Sequence, residues 1–157
     1  MQLTDVLIWI EGAPPIRFIA ATPFVYPAIS ALHIIGIALV FGSIAPVDLR
    51  LLRILGPRFD PVLPSLVRNA LIGFAVAAPT GLLLASVRIG DYAENPAFLM
   101  KMLILMVAGG NALLLRRLAG ARSIPETVGR PAGRIAATAS LSLWVSAVLA
   151  GRWIAFV

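Results

Sequence analysis

Residues 23–45 read PFVYPAISALHIIGIALVFGSIA and contain no lysine, arginine, aspartate or glutamate. About 20 predominantly apolar residues are enough for a helix to cross the hydrocarbon core of a bilayer. The stretch therefore predicts a first membrane-spanning helix. We expect this helix to end before Pro46, because proline interrupts a helix.

Three further stretches of similar character follow, at about residues 65–88, 96–115 and 133–156. Ser65 is predicted to cap the second helix, and Pro79 to kink it. Asn95 followed by Pro96 is a typical start signal for the third helix. We therefore predict an all-α fold, a single domain built as a polytopic bundle of four transmembrane helices.

The N-terminal residues predict a shorter helix of a different kind. One face of residues 1–12 carries four apolar side chains, those of Leu3, Val6, Leu7 and Ile10. Such a pattern is typical of an amphipathic helix that lies in the membrane interface.

Composition excludes several classes of protein. Of the 157 residues, 60% are hydrophobic and 13% are charged, whereas a soluble domain carries about a quarter charged residues. A soluble enzyme and an attached globular domain are therefore not expected. The absence of cysteine excludes disulfides, iron–sulfur clusters and thiolate metal sites.

The net charge of +6 is explained by topology, because the arginines cluster in particular loops. The second loop balances Arg88 with Asp91 and Glu94. Under the positive-inside rule the first and third loops face the cytoplasm, so both termini lie outside. No nucleic-acid partner is expected. The loop arginines are Arg50, Arg53 and Arg58, then Arg116, Arg117, Arg122, Arg130 and Arg134.

Small residues predict where the helices approach each other, since they allow close contact in a membrane. Gly109 and Gly110 mark such a surface on the third helix. The second helix has Ala70, Gly73, Ala77 and Gly81 in one stripe, and the fourth has Ser142, Ser146 and Ala150.

His33 is the only histidine, and it lies about ten residues, or roughly 15 Å, into the first span. An ionisable group at this depth usually faces the bundle interior and marks a functional site. Gly36 shares its face and is predicted to leave room for a flat cofactor. The alternative is a neutral histidine that hydrogen-bonds a serine or a carbonyl of another helix.

Three cations are predicted to ring the outer mouth of the bundle, namely Lys101, Arg88 and Arg152. Together they would suit the carboxylates of a haem whose iron binds His33. Met106 lies at a similar depth and is a candidate sixth ligand. The alternatives are that Lys101 extends to the interface, that the arginines are ordinary helix-end charges, and that Met106 fills space.

Asp48 follows the first span, and Asn111 lies deep in the third. We expect Asp48 to pair with arginines such as Arg68 or Arg116 and so to fasten a loop to the bundle. A cytoplasmic anion site is the alternative.

The chain resembles a family of small, uncharacterised four-helix bacterial inner-membrane proteins. The likeness covers most of the chain and rests on Tyr26-Pro27, Leu32-His33, Gly36, Gly42-Ser43, Asp48 to Leu52, Phe98 to Lys101 and Gly151-Arg152. More distantly it is similar to the membrane domain of copper-resistance protein D and to the HemJ-type protoporphyrinogen oxidases. That likeness implies His33 as a haem ligand and Lys101 as the cation that faces the substrate or a propionate.

The expected function is that of a haem-b-binding, multi-pass protein of the bacterial inner membrane. Its work would be electron transfer linked to a quinone or to a porphyrin. One alternative is copper or small-solute transport, with Met102 and Met106 as soft ligands beside His33. Another is an accessory subunit of a larger membrane complex. A homo-oligomer is a further alternative for the assembly.

Overall fold

The computed structural model describes residues 3–119 and 127–156, so that Arg122 lies outside the description. Within those ranges the chain is helical and contains no strand. Short 3-10 helices, Pro57–Val62 and Ile154–Phe156, complete the fold. The α-helices are α1 (Leu3–Glu11), α2 (Pro14–Ala21), α3 (Val25–Leu51), α4 (Leu63–Ser86), α5 (Ile89–Glu94), α6 (Pro96–Ala119) and α7 (Pro131–Trp153).

Four segments of the described chain are long and apolar enough to cross a membrane, which confirms the all-α prediction with four spans. Large apolar side chains such as Ile34, Leu82 and Leu113 are exposed in the isolated chain, as expected where lipid covers the surface. The segments are Val25–Leu51, Pro57–Ser86, Pro96–Arg117 and Pro131–Phe156.

Two predicted helix boundaries are wrong. Helix α3 continues through Pro46 and ends at Leu51, because one proline removes only a single backbone hydrogen bond and spanning helices tolerate that loss. Ser65 does not cap α4, which begins at Leu63 after Val62. The 3-10 helix Pro57–Val62 leads directly into α4, so that the α-helix begins two residues before Ser65.

The predicted start of α6 is confirmed. The Phe98 backbone N–H donates to Oδ1 of Asn95 over 3.0 Å, as an N-cap requires. The Asn95 side-chain amide also donates to the Ile154 carbonyl over 3.2 Å. Asn95 therefore joins the start of α6 to the end of α7.

The N-terminal residues from Leu3 to Glu11 form helix α1, and this helix is anchored to α5. Oε1 of Glu11 accepts a hydrogen bond from the Gly90 backbone N–H over 2.9 Å. Trp9 remains exposed over 74% of its surface. Helix α1 thus lies at the end of the bundle that contains α5, hereafter the α5 end.

The spanning helices form two hairpins, α3 with α4 and α6 with α7, and α3 packs against α7 to join them. In a closed four-helix bundle α4 would also pack against α6. Within the described residues that fourth contact is marginal at most. The arrangement therefore has an open side between α4 and α6.

The first hairpin is packed at backbone distance. A Cβ atom at Gly73 would lie 2.8 Å from the Gly36 carbonyl oxygen and 2.8 Å from the Val40 nitrogen. Ala70 and Ala77 are buried beside Gly73. The small-residue stripe predicted for α4 is therefore confirmed, and it is Gly36 and Gly73 that let the two helices approach.

The other small-residue predictions are wrong. Gly109 and Gly110 face open space, and Ser142 and Ser146 are exposed. The buried positions of α7 lie on another face, at Gly133, Ala136, Ala137, Ser140 and Ala147. Small size alone does not say which face of a helix is in contact when several faces carry small residues.

The arginine-rich end lies opposite the α5 end and is defined by Arg50, Arg53, Arg58, Arg116, Arg117, Arg130 and Arg134. Its core consists of Val47, Leu51, Leu63 and Ala137. Beside this core Arg50 donates to both carboxylate oxygens of Asp60, over 2.7 and 3.1 Å.

We expect Asp60→Asn to lower the melting temperature in detergent, because it leaves the buried Arg50 guanidinium without a counter-charge. Asp91→Asn is the matched control. Asp91 pairs with Arg88, but the two side chains are 64% and 74% exposed, and exposed pairs contribute little. Equal melting temperatures for the two variants would contradict a structural role for the Arg50–Asp60 pair.

Candidate functional site

His33 lies about 12 Å from the start of α3, and its imidazole contacts α4. Nδ1 is 2.9 Å from the Ala77 carbonyl oxygen and 3.3 Å from Oγ1 of Thr80. A carbonyl oxygen only accepts hydrogen bonds, so Nδ1 carries the proton. In its neutral form, the ring with this proton presents the lone pair of Nε2, which has no hydrogen-bond partner among the described residues.

The segment of α4 from Ala77 to Gly81 is shaped to hold this ring. Pro79 lies inside the helix, where it lacks the N–H that would bond one turn earlier. The Thr80 hydroxyl donates to the Val76 carbonyl over 2.6 Å. A Cβ atom at Gly81 would lie only 2.7 Å from Cε1 of His33. The imidazole therefore occupies space that any side chain at position 81 would fill.

Gly36 does not provide the room for a cofactor that the sequence predicted. A Cβ atom there would lie 2.8 Å from the Ala77 nitrogen and 3.0 Å from the Gly73 carbonyl oxygen. The space is filled by the backbone of α4. Gly36 serves the close contact between α3 and α4, and the glycine beside the imidazole is Gly81.

Lys101 belongs to the second hairpin and is half-buried. Its side chain lies along α7, where a Cβ atom at Gly151 would be 3.4 Å from Nζ. The Lys101 charge is close enough to act on His33. The imidazole belongs to one hairpin and the ammonium group to the other, and the Lys101 charge reaches across to His33.

The two arginines of the predicted cation ring have other contacts. Arg88 is exposed and pairs with Asp91 over 2.7 Å. The Arg152 guanidinium lies over the ring of Phe156, 5.0 Å from its centroid. Lys101 is thus the cation for which the structure shows an interaction with His33.

Met106 is 68% exposed. Its thioether lies on the outer surface of α6, which lipid would cover, and α6 makes marginal contact at most with α3. The structure gives no support to Met106 as a second ligand within one chain.

Two tyrosines lie near the site at the α5 end. Tyr26 and His33 are seven residues apart and share a face of α3, and Tyr92 of α5 is hydrogen-bonded to Tyr26. Burial raises the pKa of the Tyr92 hydroxyl, and Tyr26 adds to that effect. Tyr92 also contacts Phe98, with ring centroids 5.0 Å apart. These rings connect α3, α5 and α6.

The polar groups near the arginine-rich end differ from the prediction. The predicted pairing of Asp48 with Arg68 or Arg116 is wrong, because among the described residues Asp48 is hydrogen-bonded to Ser140 of α7 and forms no ion pair. The ion pair at this end joins Arg50 to Asp60. The Asn111 side-chain amide donates to the Ala136 carbonyl over 2.9 Å. These contacts fasten α7 to α3 and to α6.

The alternative stated for His33, a hydrogen bond to a carbonyl of another helix, is what the structure shows. Sequence reasoning did not identify which carbonyl accepts this bond, and it missed Ser140 as the partner of Asp48. Ala77 acts through a backbone carbonyl, which no side-chain pattern reveals. The available signal was the run Pro79-Thr80-Gly81 inside an apolar span, because such a run disturbs helix hydrogen bonding and leaves room beside it. Ser140 could not be separated from the other serines of α7 without knowing which face is buried.

No group of three or more His, Cys, Asp or Glu side chains that could hold a metal ion occurs among the described residues. One imidazole with a free nitrogen is nevertheless what a macrocycle-bound iron needs, because the macrocycle supplies the equatorial ligands. The donor set therefore fits haem iron better than a free metal ion. Comparisons with protein-family models, with curated proteins and with solved structures find no match to this chain.

Proposed function

We propose that this chain is a haem-b-binding integral membrane protein in which Nε2 of His33 is an axial ligand to the iron. The observation that carries the proposal is the Nδ1–H hydrogen bond to the Ala77 carbonyl. A metal-bound histidine typically donates its other ring N–H to a carbonyl or a carboxylate, which fixes the tautomer and orients the ring.

The open side between α4 and α6 favours a ligand that is large and lipophilic. A molecule entering there from the bilayer would meet His33 of the first hairpin and Lys101 of the second. The Lys101 ammonium group would pair with a carboxylate of the macrocycle. Bound haem supplies one-electron redox chemistry, whose potential depends on the axial ligand and on burial.

The arginines support an orientation in which the arginine-rich end faces the cytoplasm and both termini lie outside. In that orientation the His33 site is in the outer half of a bacterial inner membrane. Helix α1 would lie in the outer interface, with the exposed Trp9 directed to lipid.

Its reaction partners would be lipophilic, because the open side faces the bilayer and the loops are short. A quinone or a porphyrin that exchanges electrons with the haem satisfies this condition. The exposed apolar surface of α6 would be covered by lipid or by another subunit. Copper transport is disfavoured by the exposure of Met106, which removes a soft ligand from the predicted path.

The proposal is tested by expressing the protein with an ample supply of haem precursor and recording its oxidised and dithionite-reduced spectra. We expect a b-type spectrum with about one haem per chain. A protein that stays colourless, and that also fails to bind added haemin, would contradict it.

Lys101→Gln should reduce haem occupancy, because it removes the charge that would face a propionate while keeping most of the side-chain volume. We expect a loss of a few fold, read as the Soret-to-protein absorbance ratio after purification. Arg88→Gln is the control and should leave that ratio unchanged, since Arg88 pairs with Asp91. Equal losses in the two variants would show that Lys101 has no special role.

A further inference from the structure

Asp48 is a buried carboxyl group that the proposed haem site does not use. It lies near the end of α3 with 3% of its surface exposed. It is hydrogen-bonded to Ser140 of α7, which is 9% exposed. Its Oδ2 atom is buried and has no hydrogen-bond partner within the described ranges. A single hydroxyl group is therefore the polar partner that the structure shows for this carboxyl group.

The arginine side chains near Asp48 do not pair with it. The Arg50 guanidinium, two residues along α3, is bound to both oxygens of Asp60 in the 3-10 helix. Asp48 forms no ion pair with a cation of the described chain. The remaining arginines on the packed elements are exposed, namely Arg58 of the 3-10 helix, Arg68 of α4, and Arg134 and Arg152 of α7.

An ionised carboxylate without a counter-charge is very costly to bury. A protonated carboxyl group carries no charge, and a serine hydroxyl can either donate to it or accept from it. We propose that Asp48 and Ser140 form a proton-binding site between α3 and α7, in which the Asp48 carboxyl group holds a proton at neutral pH.

Because the site lies between α3 and α7, binding or loss of the proton would affect how the two hairpins pack. The contact between α3 and α7 joins the two hairpins, and His33 and Lys101 stand on opposite hairpins. Loss of the proton would leave an unpaired charge in that contact. Proton release at Asp48 would therefore weaken the joint between the hairpins, whether or not haem is bound.

Infrared spectroscopy of the full-length protein in detergent at neutral pH tests this proposal. The wild-type minus Asp48→Asn difference spectrum should contain the C=O stretching band of a protonated carboxyl group, shifted downward in D2O. Asp91→Asn, which changes an exposed carboxylate, should give no such band. Ser140→Ala should move the Asp48 band to higher frequency, because the carboxyl group loses its hydrogen bond.

Asparagine resembles a protonated aspartate in shape and charge, so Asp48→Asn should be at least as thermostable as the wild type at neutral pH. If that variant fails to fold, carboxyl-13C-aspartate in the wild-type protein would identify the same band. A spectrum with only ionised aspartate bands would overturn the proposal. A carboxylate band that responds to sodium or potassium would also overturn it, in favour of a cation site.

Discussion

His33→Ala should abolish haem binding while leaving the helices folded. The variant loses the only imidazole of the chain, and no cysteine is present to replace it as a ligand. Changing even an outer partner of a metal ligand typically costs 10–100-fold in affinity. We therefore expect the Soret absorbance per protein to fall by more than about tenfold.

Folding of this variant is checked separately, by circular dichroism and by the melting temperature in detergent. His33 is only half-buried, and its loss removes one hydrogen bond, worth about 1 kcal/mol. Met106→Leu is the matched control, because this exposed residue should not affect haem. Haem retained by His33→Ala, or lost equally in Met106→Leu, would contradict the ligand assignment.

Gly73→Ala should cause a large loss of stability. The new methyl group would lie 2.8 Å from backbone atoms of both Gly36 and Val40. Backbone atoms cannot turn aside as a flexible side chain can, so α3 and α4 would have to separate. Overpacking of this kind typically costs about 1–3 kcal/mol, to be measured as unfolding free energy in detergent. Separation would also lengthen the His33–Ala77 hydrogen bond and reduce haem retention.

Gly109→Ala is the control for this prediction. A Cβ atom at Gly109 has nothing within 4 Å. Alanine favours a helix over glycine by about 1 kcal/mol, so this variant should be as stable as the wild type or slightly more stable. Similar losses in the two variants would show that the contact between α3 and α4 is not as close as described.

Much of the fold could be predicted because a bilayer imposes length and apolarity on each span. The positions of the four spans and the Asn95 cap followed from runs of apolar residues and from local signals. The passage of α3 through Pro46 did not, because proline usually ends a helix in water. The open side between α4 and α6 was also missed, since periodicity identifies an apolar helix but not its neighbours.

Of the candidate site, only the ionisable residues within the spans could be predicted from the sequence. His33 and Lys101 were singled out because charges are costly inside a membrane, and in the structure the Lys101 charge acts on His33. Met106 was misjudged because equal depth in two helices does not mean that two side chains face each other. The Ala77 carbonyl and the role of Gly81 needed three-dimensional contacts, since neither involves a distinctive side chain.

The protonation pattern of the His33 ring is the most direct test of whether this residue binds the iron. With one histidine in the chain, 15N-histidine labelling gives a single pair of ring signals by NMR in detergent. We expect a proton on Nδ1 and an unprotonated Nε2 in the haem-free protein. We also expect added haemin to perturb the Nε2 signal strongly. A ring protonated at Nε2, with signals that haemin leaves unchanged, would contradict the assignment of His33 as the axial ligand.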